Sequence, residues 1–263
     1  MSKINERVER EQQFHDVRYS DESIRRQKVS KFYSITDSIT KAYQQKLLDN
    51  SKDAKVIEYG CGKGSCAFKL AKNQAKLVTG IDISPVAIEA AQQQAVADNI
   101  DGNIEFKVMN AEHLEFAEGS YDLICGSGIL HHLDLDLATS SIVKTLQPNG
   151  KAVFLEPLGH NFLINLYRRL TPTIRTEDEH PLLEKDLQTL SRSFQQTKIR
   201  YFYLTSLAAC FVAGKPGFKT LLRCCEFIDA IVLKMPGIRQ QAWLVLIELS
   251  QPNKVNVTPP RPS

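Results

Sequence analysis

The sequence has no pair of cysteines with the CxxC spacing. Its six cysteines include two adjacent ones, Cys224 and Cys225. Structural zinc sites draw on closely spaced cysteine pairs, and a disulfide framework needs partners that can face each other. We therefore expect reduced thiols, no metal site and a cytoplasmic location.

Long apolar segments are missing too. The N-terminus, MSKINERVEREQQFHD, is charged and contains no apolar stretch of the kind found in secretory signal peptides. The most apolar run, residues 204–214, is too short to span a bilayer and includes polar Thr205 and Ser206. We expect a soluble protein, or one that is peripheral to a membrane.

Positive charge is not concentrated anywhere along the chain. The 33 basic and 30 acidic residues leave a net charge of +3, and no basic run is dense enough to follow a phosphate backbone. We therefore expect no nucleic-acid partner. The sequence gives no indication of an oligomeric state.

What the sequence does contain is an alternation of apolar, β-type runs with helix-like segments. The runs lie at residues 55–59, 76–83, 104–109, 121–125 and 151–155. Such an alternation is typical of a doubly wound, mostly parallel sheet. We predict an α/β fold of Rossmann-like type.

The two flanks of this alternation differ from it. Apolar residues at near-helical spacing precede it. After Pro157 the pattern predicts an aromatic β-type run at residues 199–204, then a helical insertion and a last strand at residues 242–249. The predicted division is a helical N-terminal cap at residues 1–50, a main domain at residues 51–250 whose acceptor side is residues 157–240, and a disordered tail at residues 251–263.

An apolar strand leads straight into a glycine-rich turn at residues 56–64. Gly60, Gly62 and Gly64 allow the backbone to approach a ligand and to take positive φ, and the helix that follows presents free N–H groups. Asp82 comes twenty residues after Gly62, where its carboxylate can accept hydrogen bonds from ribose hydroxyls. The motif predicts a site for a nucleoside-containing cofactor.

Two features separate this motif from a dinucleotide site. Its spacing is GxGxG, and Ser65 stands where the dinucleotide fingerprint has its third glycine. Glu58 adds negative charge, which suits an ammonium group better than a pyrophosphate. An NAD-dependent oxidoreductase therefore stays as a less favoured alternative.

With these motifs in this order, residues 55–157 resemble the class I S-adenosylmethionine-dependent methyltransferases. The resemblance implies that S-adenosyl-L-methionine is the cofactor and that Glu58 and the three glycines hold its methionine end. It also implies that Asp82 holds the ribose and that Ile83 packs on the adenine.

Two further segments match this family. Asn110 and Ala111 stand where the family usually has an acidic residue near the adenine amino group. The side-chain carbonyl of Asn110 can still accept from that group, or Asn110 is simply a turn residue. Ser127 lies in the segment after the fourth strand, which resembles the family's substrate-facing segment beside the cofactor.

Four polar residues follow the fourth and fifth predicted strands and are candidates for catalysis: His131, His132, Glu156 and His160. The carboxyl ends of parallel strands form the ligand-binding edge of such a sheet, where a base can take a proton from a hydroxyl acceptor. Because adjacent side chains point different ways, we expect only one of the two neighbouring histidines to face the pocket. Alternatively, Glu156 forms a structural ion pair with Arg168 or Arg169.

Other segments are candidates to cover or extend the site. Caps in this family fold over the cofactor pocket, so His15, within Phe14-His15-Asp16, either enters the site or is a surface histidine. Residues 167–181, which are rich in charge and proline, are either a mobile lid or a solvated connection. The apolar segments 202–213 and 218–233 are core, part of a greasy acceptor pocket, or a membrane contact.

Within this family, the chain resembles the small-molecule methyltransferases that act on quinones, lipids, polyketides and other secondary metabolites. The resemblance implies a small, hydrophobic or aromatic acceptor, with O-methylation favoured over C-methylation. In-line transfer from a sulfonium depends mostly on positioning and on excluding water. The alternative from a different class is a non-catalytic S-adenosylmethionine-binding module, which would form no S-adenosylhomocysteine.

Overall fold

A seven-stranded sheet forms the centre of the described part of the protein. The structure, a computed structural model, describes residues 3–20, 32–171 and 179–254. The strands are β1 (Lys55–Tyr59), β2 (Leu77–Asp82), β3 (Ile104–Val108), β4 (Tyr121–Ser127), β5 (Leu146–Pro157), β6 (Phe194–Phe202) and β7 (Leu244–Pro252).

Helices precede the sheet and connect its strands. The α-helices are α1 (Lys3–Ser20), α2 (Asp37–Ser51), α3 (Ser65–Lys72), α4 (Pro85–Ala97), α5 (Leu135–Thr145), α6 (Phe162–Leu170), α7 (Glu184–Arg192) and α8 (Phe218–Val232). Short 3-10 helices lie at Leu130–His132, Thr205–Val212 and Arg239–Gln241.

The strand order is β3-β2-β1-β4-β5-β7-β6. Strands β1 to β5 are parallel, and β7 lies antiparallel between β5 and β6. The order reverses between β1 and β4, and open α/β sheets bind ligands beyond the carboxyl ends of their strands at such a point. The predicted fold class is confirmed, and the candidate site lies where Tyr59 and Ser127 end these two strands.

Both faces of the sheet are buried. Val56 of β1 belongs to one core cluster, whereas Ile57 and Tyr59 belong to the other. The same division separates Leu123 from Ile124 in β4, because successive side chains of a strand point to opposite faces. Burial on both faces explains why these strands appear in the sequence as continuous apolar runs.

Polar residues fix the starts of the helices that leave this edge of the sheet. The hydroxyl of Ser84 accepts a hydrogen bond of 3.2 Å from the backbone N–H of Ala87 in the first turn of α4. Asp134 accepts from two backbone N–H groups at the start of α5. Such caps satisfy amides that have no partner within the helix, and so they determine where each loop ends.

The last two strands extend further than the sequence predicts. Strand β6 begins at Phe194 rather than at residue 199, and β7 continues to Pro252, because Phe194 and Pro252 pair at the far end of the antiparallel ladder. The added β6 residues 195–198 are exposed and polar, so the apolar pattern did not reveal them. Residues 251 and 252 of the predicted tail therefore belong to the sheet.

The predicted helical insertion before β7 is formed by a 3-10 helix and α8. The carboxylate of Asp229 in α8 accepts hydrogen bonds from the backbone N–H groups of Leu204, Thr205 and Ser206, at 3.1, 2.7 and 3.1 Å. A carboxylate with several N–H donors is a strong tie, so the two elements form one unit.

Three predicted segments fall partly outside the described residues. They are residues 1–2 and 21–31 of the cap, residues 172–178 of the lid or connection, and residues 255–263 of the tail. Within the described ranges, no helix is both long enough and apolar enough to span a membrane.

Candidate active site

The glycine-rich turn connects β1 to α3 with three glycines at positive φ. At two of them, Gly62 and Gly64, a side chain would clash with a neighbouring residue. A Cβ atom on Gly62 (φ +53°) would lie 2.6 Å from the hydroxyl of Tyr19, and one on Gly64 (φ +82°) would lie 2.7 Å from the ring of Phe106. Gly62 thus makes room beneath α1, and Gly64 lets the turn pack against the core.

Asp82 ties the end of β2 to this turn. Its Oδ2 accepts a hydrogen bond from the backbone N–H of Gly62 at 2.8 Å, and its Oδ1 accepts from Ser84 at 2.9 Å. Burial raises the pKa of Asp82. A carboxylate oxygen has two lone-pair positions, so each oxygen can still accept a hydrogen bond from a bound ribose.

Glu58 lies beneath the turn. Its Oε2 accepts a hydrogen bond of 2.7 Å from the backbone N–H of Ala67 in α3. Burial raises the pKa of Glu58 to about 8, and the nearby Asp82 carboxylate adds to this rise. The structure therefore gives Glu58 a supporting position under the loop, where it holds the start of α3 against β1.

A cofactor pocket of about 110 Å³ lies beside the turn. Six predicted cofactor residues line it: Gly60, Asp82, Ile83, Asn110, Ala111 and Ser127. The other three, Glu58, Gly62 and Gly64, build the loop. Helix α1 covers the pocket and contributes Glu11, His15 and Tyr19 to its lining. This volume is smaller than the roughly 300–1,000 Å³ that ligand pockets commonly enclose.

Asn110 is a turn residue that also lines the cofactor pocket, and its contact with the adenine amino group stays a prediction. It lines the pocket, and its Oδ1 accepts a turn hydrogen bond of 2.9 Å from the backbone N–H of Glu112. Glu112 itself is buried, contacts Arg7 of α1 and accepts from the backbone N–H of Asp134 at 2.7 Å. Sequence reasoning missed Glu112, although an acidic residue two positions after Asn110 was a usable signal.

A second cavity, of about 280 Å³, adjoins the cofactor pocket. Five aromatic residues line it: Phe14, Phe32, Tyr33, Tyr167 and Trp243. The ring centroid of Phe32 is 4.6 Å from that of Tyr167 and 5.8 Å from that of Trp243. Ser127, Gly128 and His132 line both cavities, so ligands in the two would meet there. We call this second space the acceptor cavity.

His131 and Glu156 form a buried pair at the wall of the acceptor cavity. The Nδ1 of His131 is 2.7 Å from Oε2 of Glu156, and Oε1 of Glu156 accepts from the backbone N–H groups of Ile129 and Leu130, both at 2.9 Å. With Glu156 ionised, its carboxylate only accepts hydrogen bonds, so Nδ1 of His131 would donate and Nε2 would be the basic nitrogen. The Nε2 atom lies 3.9 Å from Oε1 of Glu179, another residue that lines this cavity.

The two neighbouring histidines both line the acceptor cavity, so the expectation that only one faces a pocket is wrong. They lie on the short 3-10 helix Leu130–His132 rather than on an extended strand, and their ring centroids are 4.2 Å apart. Neighbouring side chains alternate between two faces in a strand, but this tight turn brings both rings to one side.

The structure also decides the positions of His160, Arg168 and His15. His160 is outside the lining of both cavities, and its Nε2 accepts from the backbone N–H of Glu184 at 3.2 Å, at the start of α7. Arg168 donates to the carbonyl of Leu158 at 3.0 Å. Glu156 pairs with His131 instead, so the alternative ion pair with Arg168 or Arg169 does not form among the described residues. His15 enters the site, since it lines the cofactor pocket.

Comparison with known proteins agrees with this geometry. A sequence profile of a methyltransferase domain matches residues 50–200. Methyltransferase GfsG of Streptomyces halstedii is 30% identical over 105 residues, which are 40% of this chain and 38% of that protein. Aklanonic acid methyltransferase DauC of Streptomyces sp. (strain C5) is 34% identical over 107 residues, 40% of this chain and 48% of that protein. The chain thus matches less than half the length of either relative.

A solved structure has the same fold. Geranyl diphosphate C-methyltransferase from Streptomyces coelicolor A3(2) superposes with a TM-score of 0.60 at 15% identity, covering 80% of this chain and 78% of that one. The methyltransferase-domain profile covers more than half of the present sequence, and the chain therefore belongs to the family of methyltransferase domains. The family predicted from the sequence is confirmed, together with the S-adenosylmethionine cofactor that this family uses.

Proposed function

We propose that this protein transfers a methyl group from S-adenosyl-L-methionine to the hydroxyl group of a small aromatic acceptor, with His131 as general base. The observation that carries the proposal is the buried His131–Glu156 pair in the wall of an aromatic cavity that adjoins the cofactor pocket. S-adenosyl-L-methionine supplies an electrophilic methyl group when it is bound.

The residues present fit this cofactor. Asp82 retains lone pairs for the two ribose hydroxyls after accepting from Gly62 and Ser84. Ile83 offers an apolar surface to the adenine, and Asn110 retains a lone pair for its amino group. The positions of Asp82 and Asn110 at the ends of neighbouring strands allow both to bind one extended ligand.

The acceptor class follows from the cavity. Its wall of aromatic rings favours a planar, apolar ring, which can stack or make edge contacts with Phe32, Tyr167 and Trp243. Ser127 and His132 line both cavities, and His131 is next to His132, so polar groups are present where the two cavities meet. An aromatic acceptor would therefore direct a hydroxyl substituent toward the cofactor.

In this proposal, His131 takes the hydroxyl proton. Glu156 holds Nδ1–H and would stabilise the imidazolium that forms when Nε2 accepts a proton. Because two backbone N–H groups also bind Glu156, its carboxylate keeps one orientation. The pair would thus supply a base of fixed direction, and O-methylation is favoured over C-methylation because a ring carbon activated by its own substituents needs no base.

The test is methyl transfer from isotopically labelled S-adenosyl-L-methionine to a panel of phenols, naphthols and hydroxyquinones, with products identified by mass spectrometry. O-methylated product from the wild type, reduced roughly 10²–10⁴-fold in His131→Ala, supports the proposal. His113→Ala is the matched control, because His113 is exposed and lines neither cavity.

Three results would contradict the proposal. C-methylated product at a normal rate in His131→Ala would favour a carbon acceptor. Binding of S-adenosylhomocysteine with no methylated product from any phenol, naphthol or hydroxyquinone would favour a non-catalytic binding module. A rise in melting temperature with NAD but not with S-adenosylhomocysteine would favour the oxidoreductase.

Contact with a membrane surface is a separate proposal, supported by the outer face of α8. Phe227 and Ile231 are 70% and 54% exposed, and Lys219 and Lys234 are exposed beside them. Apolar side chains flanked by cations suit an anionic lipid surface. Sedimentation with phosphatidylglycerol vesicles should deplete the wild type but not Phe227→Ser/Ile231→Ser, and equal sedimentation of the two proteins would contradict the contact.

A further inference from the structure

Three potential metal ligands meet between α1 and the 3-10 helix after β4, beside the cofactor pocket. Oε2 of Glu11 is 3.2 Å from Nδ1 of His132 and 3.6 Å from Nε2 of His15. One donor atom from each of the three residues lies within 4.8 Å of the other two. Glu11 is buried, and both histidines are shielded from solvent. The cluster therefore brings one carboxylate and two imidazoles together away from bulk solvent.

The spacing of these atoms matches the ligand shell of a small divalent ion. Zn²⁺ lies about 2.0–2.2 Å from imidazole nitrogen and carboxylate oxygen. Ligands at tetrahedral angles around such an ion are separated by roughly 3.3–3.5 Å, which is close to the two contacts that Glu11 makes. Imidazole with carboxylate suits Zn²⁺ and other late transition metals better than Mg²⁺, which prefers oxygen ligands and bound water.

The orientation of the His132 ring also favours a metal ion bound by both His132 and Glu11. Its Nδ1 is buried and makes no hydrogen bond within the described residues, although the Glu11 oxygen is only 3.2 Å away. A hydrogen bond fails at that distance when donor and acceptor do not point at each other. The rings of His15 and His132 are nearly perpendicular, at 78°, with centroids 5.6 Å apart, so the two rings do not stack against each other.

We propose that Glu11, His15 and His132 form a binding site for a divalent transition-metal ion of the Zn²⁺ type, and that the ion fastens α1 over the cofactor pocket. Glu11 and His15 are four residues apart and share one face of α1. His132 belongs to the 3-10 helix after β4. A bound ion would thus join the covering helix to the sheet edge through three ligands.

The surrounding contacts preorganise the site. Arg7 donates to the backbone carbonyl of His132 at 2.6 Å, one turn before Glu11. Asp16, just after His15, contacts the hydroxyl of Ser84. Contacts on both sides of the cluster hold this part of α1 in register with the core, which lowers the ordering cost of metal binding. The position over a cofactor pocket rests on the proposed function, whereas the metal binding itself does not.

The experiment is titration of the tag-free protein with Zn²⁺, Co²⁺ or Mg²⁺, followed by calorimetry and by the visible absorption of bound Co²⁺. All proteins carry Cys224→Ser, because Cys224 is an exposed thiol that could itself bind these ions. We expect one Zn²⁺ or Co²⁺ per chain and no comparable Mg²⁺ binding. Affinity should fall at least tenfold in Glu11→Gln and in His15→Ala and stay unchanged in His113→Ala, with melting curves as the test of folding.

Hydrogen exchange measures the fastening of α1. Amides of α1 should exchange more slowly with Zn²⁺ in the wild type and not in His15→Ala. Co²⁺ binding that His15→Ala retains, a thiolate-to-cobalt charge-transfer band, or the absence of one-to-one binding would overturn the site. Binding without slower exchange would overturn the fastening.

Metal binding and methyl transfer can fail independently. A protein that binds Zn²⁺ through these residues but methylates no acceptor would contradict only the proposed function. A protein that methylates an acceptor but binds no Zn²⁺ or Co²⁺ would contradict only the metal site.

Discussion

The cofactor side and the acceptor side of the candidate active site are built in different ways. On the cofactor side, Glu58, Gly62 and Asp82 lie within one βαβ unit, in which the Asp82 carboxylate accepts from the N–H of Gly62 and the Glu58 carboxylate from that of Ala67. The acceptor cavity instead combines side chains from far apart in the chain, such as Phe14, Tyr167 and Trp243. A site that local backbone geometry fixes can be predicted from the sequence, whereas a site that tertiary packing fixes cannot.

The same contrast appears in the two histidine–carboxylate pairs. His131 and Glu156 both belong to the sheet edge, and backbone amides fix the carboxylate. His132 meets Glu11, which belongs to the covering helix α1. The first pair therefore depends only on the sheet edge, whereas the second also depends on the position of α1.

We expect the largest effect from Glu156→Gln, which tests whether the His131–Glu156 pair contributes to catalysis and not to cofactor binding. The glutamine carbonyl can still accept from Ile129 and Leu130, but its amide would donate to Nδ1 of His131 and shift the imidazole proton to Nε2. We expect kcat to fall roughly 10²–10⁴-fold with little change in affinity for S-adenosylhomocysteine. Single-turnover transfer and calorimetry measure the two effects, and a parallel loss of cofactor affinity would contradict the division into two sides.

Asp82→Ala should show the opposite pattern. It removes hydrogen bonds to the ribose and also the acceptor for the N–H of Gly62. We expect the dissociation constant of S-adenosylhomocysteine to rise at least about tenfold, since a hydrogen bond to a charged group contributes roughly 1.5–3 kcal/mol, while kcat at saturating cofactor stays near wild type. Asp98→Ala, at an exposed helix end, is the control. An unchanged dissociation constant in folded Asp82→Ala would remove Asp82 from the ribose.

The raised pKa of Glu58 predicts that the free energy of unfolding depends on pH. Glu58→Gln should remove this dependence. Its pKa rises from 4.5 to about 8 on folding because of burial. Between these values the unfolded chain has released the proton and the folded chain still holds it. The contribution of Glu58 to stability is thus complete below pH 4.5 and is lost as pH rises to about 8.

The slope of this loss approaches about 1.4 kcal/mol per pH unit. Glutamine can still accept from the N–H of Ala67 but does not titrate, so the difference in unfolding free energy between wild type and Glu58→Gln should follow this slope. Urea unfolding at several pH values measures it. A difference that is constant from pH 5 to pH 8 would show that Glu58 is ionised in the folded protein.

The smallest effect is expected from His160→Ala. His160 lies outside both cavities and accepts from the N–H of Glu184 at the start of α7. Losing one such hydrogen bond should lower the unfolding free energy by about 1 kcal/mol and leave kcat unchanged. A loss of kcat with normal stability would return His160 to the list of catalytic candidates.

The sequence by itself determined the parallel strands, the cofactor motif and the family, because each depends on interactions over a few residues or on one βαβ unit. The continuous apolar runs at Val56 and Leu123 reflect burial on both faces, and Gly62 and Gly64 reflect a backbone at positive φ. Such features act locally and leave a regular trace in the order of residues.

Only the tertiary structure decided which partners the polar side chains have. Glu156 is 25 residues from His131, and Arg7 is 125 residues from His132. Their pairing depends on how β5, the 3-10 helix after β4 and α1 pack, and no periodicity or turn residue encodes that arrangement. The same holds for Glu11 and His15, which appear in the sequence as ordinary residues of a polar helix. They become candidate ligands because α1 folds back across the sheet edge and brings them against His132.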